Sequence, residues 1–252
     1  AFSVAAFEWA GFCGWQSWSA RLPFTLLSVL TFAGITQALP VQLLWPVSSN
    51  LTADILLWAG ISWWLLAVLL VLSFRQTQQL WSQNRLLKAV MGFLTLIPSF
   101  AAILLLRHVN YDASPYAGAW LICLLLGLVW AADIGGYVVG KPFGKHKLLP
   151  QVSPGKTVEG LFGGMVFVLL LVALVAYLQQ WPQQTSLWFA AAIILTLLSV
   201  FGDLSESMFK RVAGLKDSGS IFPGHGGMLD RIDSLTATAP LFAVFVALLG
   251  GF

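Results

Sequence analysis

Charged side chains are scarce in this chain: Asp, Glu, Lys and Arg make up 9% of its 252 residues, against roughly a quarter in soluble domains. With 58% hydrophobic residues and a mean hydropathy of +0.84, it falls outside the soluble globular class. Cysteine is sparse too. Cys13 and Cys123 lie in or beside apolar segments without paired spacing, which gives no basis for a disulfide framework or a zinc site. The net charge of +3 sits mostly on loop lysines and arginines, a topology signal. No RNA- or DNA-binding module is legible, and nucleic acid is not an expected partner. The first apolar stretch does not read as a secretory signal, since no basic region precedes it and no small-residue cleavage site follows it.

What the chain does have is long apolar runs, at about 22–46, 54–74, 86–107, 116–140, 157–180, 187–208 and 235–252. Ahead of them, AFSVAAFEWAG is apolar yet too short to cross a ~30 Å hydrocarbon core. It reads as the tail of an earlier span, with one or more spans expected upstream. The expected fold is therefore an all-α polytopic membrane protein with about eight transmembrane helices, the first partial. It divides into N-terminal transmembrane helices over 1–110 and a C-terminal transmembrane region over 111–252, the part that holds most of the ionisable residues.

Loop charge sets the orientation, because cytoplasmic loops carry the Lys/Arg excess. Arg21, then Arg75, Arg85 and Lys88, then Lys141, Lys145, Lys147 and Lys156, and finally the loop from Lys210 to Asp233 fall on one side. PVSSNLTAD, the loop around Arg107 to Asp112, and QQWPQQTS fall on the other. Trp45, Trp58 and Trp181, near span ends, suit an interfacial aromatic belt.

Ionisable residues concentrate in the second half: seven of ten acids and eight of thirteen Lys/Arg lie between 133 and 233. Asp133 sits inside a span, where an unpaired carboxylate costs roughly 2.5–3.5 kcal/mol, so it needs a partner. It serves either a site or a helix-pinning pair. In FGDLSESMFKR, Asp203, Glu206, Ser207 and Lys210 form one stripe of a helix. That stripe reads equally as a solvated helix end with i,i+4 pairs. The following run favours a binding site: Pro223, Gly224, Gly226 and Gly227 surround His225, and exposed glycine amides can cradle an anion. Asp230-Arg231-Ile232-Asp233 comes next, two carboxylates on one helix face with the chemistry to hold Mg²⁺ while nearby cations take phosphate.

The earlier basic loop, GKPFGKHKLLPQVSPGKTVEG, has a related character. Ser153 is positioned to cap a helix beginning at Pro154, which would put Lys156 and Thr157 at a helix N-terminus, a natural phosphate site. It is not a Walker A loop, because Pro150 stands where the first glycine would be. Topology alone accounts for Lys141, Lys145 and Lys147 equally well. His146 and His225 lack metal-ligand spacing and fit loop or substrate contacts better than zinc.

Taken together, Ser207-x-Phe209-Lys210-Arg211, Lys216-Asp217, Gly219, Pro223, His225-Gly226-Gly227 and Asp230-Arg231-Ile232-Asp233 resemble the complete signature of phosphatidate cytidylyltransferases, or CDP-diacylglycerol synthases. Asp133 to Tyr137, Gly144 to Leu148, Ser153 to Gly160 and Gly202-Asp203 resemble the bacterial members in order and spacing. The resemblance covers roughly residues 86–252 and is weak in the tryptophan-rich front half. It implies transfer of CMP from CTP to phosphatidate, giving CDP-diacylglycerol and pyrophosphate. It also implies Mg²⁺, with a second cation such as K⁺, on carboxylates at Asp203 and Asp230, with Asp233 and Asp217 next. Lys210, Arg211, Lys216 and Arg231 are the implied catalytic cations; Lys156, Ser207, His225, Gly226, Gly227 and Asp133 are the substrate-binding candidates. Partners so implied are CTP, phosphatidate and membrane lipid, with a homodimer admitted. The implied location is a bacterial inner (cytoplasmic) membrane, multi-pass, with the site facing the cytoplasm.

Two rival classes have weaker support. A transporter of an anionic metabolite should show inverted halves with broken segments in matching places, and the front half is nearly uncharged within its spans. A CDP-alcohol phosphotransferase would carry a D-G-x-x-A-R hallmark, which is missing.

Overall fold

The computed structural model describes residues 1–38, 51–179, 185–224 and 226–249. Trp45, Trp181 and His225 lie outside them. The helices are α1 (Phe2–Phe12), α2 (Trp18–Ala38), α3 (Leu51–Leu72), α4 (Phe74–Trp81), α5 (Arg85–Arg107), α6 (Ala117–Phe143), α7 (Val158–Leu178), α8 (Thr185–Ala213) and α9 (Leu229–Leu249). A two-stranded antiparallel hairpin, β1 (Lys147–Leu149) and β2 (Ser153–Thr157), joins α6 to α7. Seven of these helices are long and apolar enough to cross a bilayer. Exposed Leu26, Leu30, Leu65, Leu69, Leu170 and Leu174 give them an outward apolar surface suited to lipid rather than water.

Several boundaries differ from the hydropathy reading. α8 runs on through Lys210 and Arg211, and α9 begins at Leu229, so Asp230 and Asp233 are helical. Charge ends an apolar run but not a helix: Lys210 lies between Glu206, one turn back, and Asp230 of α9, so the last turns of α8 are held by pairs. RQTQQLW, read as loop, forms α4, whose Phe74 and Trp81, seven residues and two turns apart, are both buried. The expected helix start at Ser153 is also corrected. Ser153–Thr157 is strand β2, and α7 is capped by Thr157, whose Oγ1 accepts the Gly160 N–H at 3.1 Å.

Close helix contacts rest on small residues, as is usual where lipid supplies no hydrophobic drive between helices. On α6, a Cβ at Gly135 would stand 2.5 Å from the Gly163 carbonyl of α7. On α8, a Cβ at Gly202 would stand 2.9 Å from the Asp233 carbonyl of α9. Pro240 has no N–H to give the Thr236 carbonyl one turn back, and the Ser99 hydroxyl of α5 donates to that oxygen instead.

Arg21, Arg85 and Lys88, all assigned to the cytoplasmic side, come together around the end of α1. Arg21 packs against Gly11, Arg85 lies near Gly14, and the Trp9 indole N–H donates to the Lys88 carbonyl. Phe209 of α8, 1% exposed, sits between Trp9 at 4.8 Å and Trp81 at 5.4 Å. One hydrophobic core thus joins α1 and α4 to the underside of the 207–233 segment. Within it, burial pushes the Cys13 thiol up to about 12, which keeps it protonated and inert at physiological pH.

Candidate active site

The charged end is assembled from α6, the hairpin, α8 and α9. α8 has 29 residues, so at ~1.5 Å per residue it outruns a ~30 Å hydrocarbon core and carries its last turns toward the headgroups. Gly202 lets α9 approach, which brings Asp233 within electrostatic reach of Asp203, Asp133 and Lys156.

Lys156 extends from β2 to α8, with its Nζ 2.8 Å from Asp203 Oδ2 and donating to the Val200 carbonyl at 3.4 Å. Ser207 Oγ donates to Asp203 Oδ1 at 3.2 Å. Arg211 Nε donates to the Val152 carbonyl at 3.3 Å, tying the end of α8 to the hairpin turn. The hairpin is held at its other end by Glu159, which accepts from the His146 N–H and pairs with His146 Nδ1 at 2.6 Å. Beside the Lys156–Asp203 pair lies a cavity of about 550 Å³ between α6, α7 and α8, with Asp133, Tyr137, Lys141 and Gly160 also on its wall. Its size suits a drug-sized or nucleotide-sized ligand.

A second cluster forms where α8 meets α9. Lys210 Nζ stands 2.6 Å from Asp230 Oδ1 and 3.3 Å from Glu206 Oε2. Asp230 Oδ2 accepts from the Ser218 N–H at 2.9 Å, the Ser218 hydroxyl at 2.9 Å and the Gly227 N–H at 2.7 Å. Glu206 is 5% exposed, and its Oε1 has no hydrogen-bond partner among the described residues.

The sequence-derived candidates therefore fall into groups. Lys156, Asp133 and Asp203 line the cavity, with Ser207 bonded to Asp203 and Asp233 set behind them where α8 meets α9; Lys210 and Asp230 belong to the α8–α9 junction. Lys216, Asp217, Arg211 and Arg231 are exposed at the rim, with Asp217 Cβ near Gly226. The Gly227 amide, expected to face an anion, is already engaged by Asp230. Gly226 has φ +82°, and its missing side chain leaves room for Asp230 Oδ2, which a Cβ would meet at 2.6 Å. Gly226→Val is accordingly expected to displace the Asp230 carboxylate and raise the KM for the CTP that the resemblance implies by about tenfold or more, the size of a 1–3 kcal/mol backbone strain. Initial-rate kinetics check this, and an unchanged KM contradicts it.

Sequence reasoning missed Ser218, which binds Asp230, and Glu8, which reaches the same loop from α1. Glu8 is the sole acid or base among the first twenty residues, and an ionisable residue in so apolar a stretch was the available signal.

The implied Mg²⁺ can be tested against these donors. Among the described residues no three His, Cys, Asp or Glu side chains converge on one point. Mg²⁺, however, ordinarily takes one or two carboxylates and completes its shell with water and substrate phosphates. Asp203 and Asp233, on facing turns of α8 and α9, supply such a pair, and the residues fit the ion in that sense. Asp230, like Asp203, has both oxygens engaged by protein donors, so either would exchange a protein partner for the ion.

The family model described as the cytidylyltransferase family matches residues 2–249, nearly the whole chain. The chain belongs to the cytidylyltransferase family. Among curated members, it is 47% identical over 196 residues to the phosphatidate cytidylyltransferase of Haemophilus influenzae, covering 76% of this chain and 68% of that one. It is 38% identical over 245 residues to the phosphatidate cytidylyltransferase of Pseudomonas aeruginosa, covering 97% and 84%. A third match, 43% identical over 129 residues, is the uncharacterized protein YnbB of Escherichia coli, covering 51% of this chain. The first two alignments extend the family likeness into the tryptophan-rich front half that motif spacing had left unassigned.

Proposed function

We propose that this cytidylyltransferase-family protein is a phosphatidate cytidylyltransferase of a bacterial inner membrane, its site facing the cytoplasm. The observation that carries the reading is the Lys156–Asp203 pair on the wall of a cavity whose lining sets Asp133, Tyr137, Lys141 and Thr157 among glycine and apolar residues, within a chain matched throughout by the family. Such a cavity offers polar groups to a phosphate and apolar walls to a glycerolipid.

The reaction is an in-line displacement. An oxygen of the phosphatidate phosphate forms a bond to the α-phosphorus of CTP, the bond to the bridging α–β oxygen breaks, and its electron pair leaves on pyrophosphate. No protein nucleophile is needed, because the lipid phosphate is already ionised. What the protein must supply is approach of two polyanions and stabilisation of charge on the leaving group. Lys156 and Lys210, each already paired with a carboxylate, are held in place before substrate arrives, so they need little reorganisation to meet phosphate oxygens. Arg211, Lys216 and Arg231, at the exposed rim, attract the triphosphate from water. Asp203 and Asp233 would hold Mg²⁺, with Asp230 and Asp217 nearby; when bound, that ion neutralises phosphate charge and favours departure of pyrophosphate. No feature of the described residues favours transport of an anionic metabolite.

Purified protein in detergent, given phosphatidate and each of CTP, ATP, GTP and UTP, should release pyrophosphate with CTP. EDTA should reduce the rate at least about hundredfold and Mg²⁺ restore it, in line with the several kcal/mol a metal supplies. Release that is equal for all four nucleotides, or that persists in chelator, contradicts the reading.

A further inference from the structure

We propose that Glu8 of α1 is a positioning residue for the transfer reaction, a buried carboxylate that fixes the 215–229 loop and the first turn of α9 beneath Asp230. The inference rests on the cytidylyltransferase reading for its kinetic consequence, although its structural consequence stands apart from it. Glu8 is 4% exposed in an otherwise apolar helix. Its Oε1 accepts the Met228 N–H at 2.9 Å; its Oε2 accepts the Leu229 N–H at 2.8 Å and the Ser218 hydroxyl at 3.0 Å. α9 begins at Leu229, and the residue before it is Met228, which has no side chain able to cap. The helix start therefore takes its capping carboxylate from a segment more than two hundred positions away in sequence, where negative charge also meets the positive end of the helix dipole.

The glycines of this loop have a matching explanation. A Cβ at Gly219 would lie 2.3 Å from Glu8 Oε1, and one at Gly227 would lie 2.5 Å from it. At these positions glycine admits the Glu8 carboxylate to the backbone, a role distinct from cradling a substrate anion.

Ser218 makes the link to the reacting groups. Its hydroxyl lies 3.0 Å from Glu8 Oε2 and 2.9 Å from Asp230 Oδ2, and one hydroxyl proton fully satisfies one acceptor at a time. Asp230 in turn holds Lys210. A polar chain thus runs from Glu8 through Ser218 and Asp230 to Lys210. When Asp230 changes partners during the reaction, the Ser218 proton has Glu8 as its other acceptor, so the loop stays seated while Asp230 is released.

The test uses the full chain in detergent micelles with Glu8→Gln and Ser218→Ala, alone and combined. Hydrogen–deuterium exchange should speed up about tenfold or more over 215–229 in Glu8→Gln, with α6 and α7 unchanged. The kcat for CDP-lipid formation should fall about tenfold to a hundredfold, as for a misplacement of order 1 Å, while the KM for phosphatidate stays within about threefold. Glu8→Asp, which keeps the charge, should recover part of that loss, and the double variant should lose less than the product of the two single effects. Unaltered exchange in the loop, a kcat within about threefold of wild type, or multiplicative losses would each overturn the proposal. Should Glu8→Gln fail to fold, Ser218→Ala alone decides, with wild-type kcat overturning it. A wild type that makes no CDP-lipid yet shows the exchange response in Glu8→Gln would refute the enzymatic reading and leave the seating of the loop by Glu8 in place.

Discussion

Asp230→Asn is expected to lower kcat/KM by about two to three orders of magnitude, or about 3–4 kcal/mol of transition-state stabilisation. The size follows from how fully the carboxylate is used. Oδ1 pairs with Lys210 at 2.6 Å, and Oδ2 accepts from two backbone amides and one hydroxyl. An amide offers one oxygen and one NH₂ group. If its oxygen keeps the three loop donors, the NH₂ faces the Lys210 ammonium; if it turns over, the NH₂ faces the Ser218 and Gly227 N–H groups. Either orientation sets donor against donor, and lost bonds to a charged group cost roughly 1.5–3 kcal/mol each. Lys210 would keep only Glu206, at 3.3 Å, and swing from the place where phosphate must meet it. Single-turnover rates in detergent, measured beside a thermal unfolding curve, check this: the variant should still unfold cooperatively while turnover collapses. Turnover within about threefold of wild type contradicts the role given to Asp230.

Lys156→Ala should cost about hundredfold in kcat/KM, equivalent to about 2.7 kcal/mol. Its ammonium is the cation in contact with Asp203, at 2.8 Å. Without it, Asp203 and Asp133 on the cavity wall, with Asp233 close behind, lose that counter-charge and repel an incoming polyanion. Lys156→Arg keeps the charge but replaces a compact ammonium by a planar fork too broad for the same seat, so recovery should be partial, about tenfold below wild type. Steady-state kinetics over CTP and phosphatidate concentrations distinguish these outcomes. An alanine variant with wild-type kcat/KM would remove Lys156 from the site.

The spans were legible in the sequence because a helix crossing lipid must be apolar over about twenty residues, a signal that a single chain carries by itself. Hydropathy alone ends one span before Lys210 and starts the next after Asp233, but the i, i+3, i+4, i+7 spacing of Asp203, Glu206, Ser207 and Lys210 and the three-residue spacing of Asp230 and Asp233 already placed these charges on helices, as the structure has them. What the spacing did not give is the partners that hold those ends, Lys210 to Asp230 and Arg211 to the Val152 carbonyl. The hairpin was hidden for a different reason: SPGKT has the proline and glycine of a turn, and its strand pairing with Lys147–Leu149 is fixed by tertiary position. For the site, residue types and spacing pointed to the right stretches, since acids and bases gathered near lipid are costly and call for a purpose. The pairings were beyond reach. Nothing local joins Lys156 to Asp203 or Arg211 to Val152, and Glu8 meets Leu229 only after the chain has crossed the bundle several times.

The central claim is that the lipid phosphate attacks the α-phosphorus of CTP and expels pyrophosphate. Parallel incubations of the purified protein with phosphatidate and CTP labelled at either the α or the γ phosphorus test it directly. The account predicts that the α label moves into the organic-soluble lipid and the γ label appears as pyrophosphate in the aqueous phase. A γ label in lipid, or both labels remaining in water with CTP intact, would contradict it.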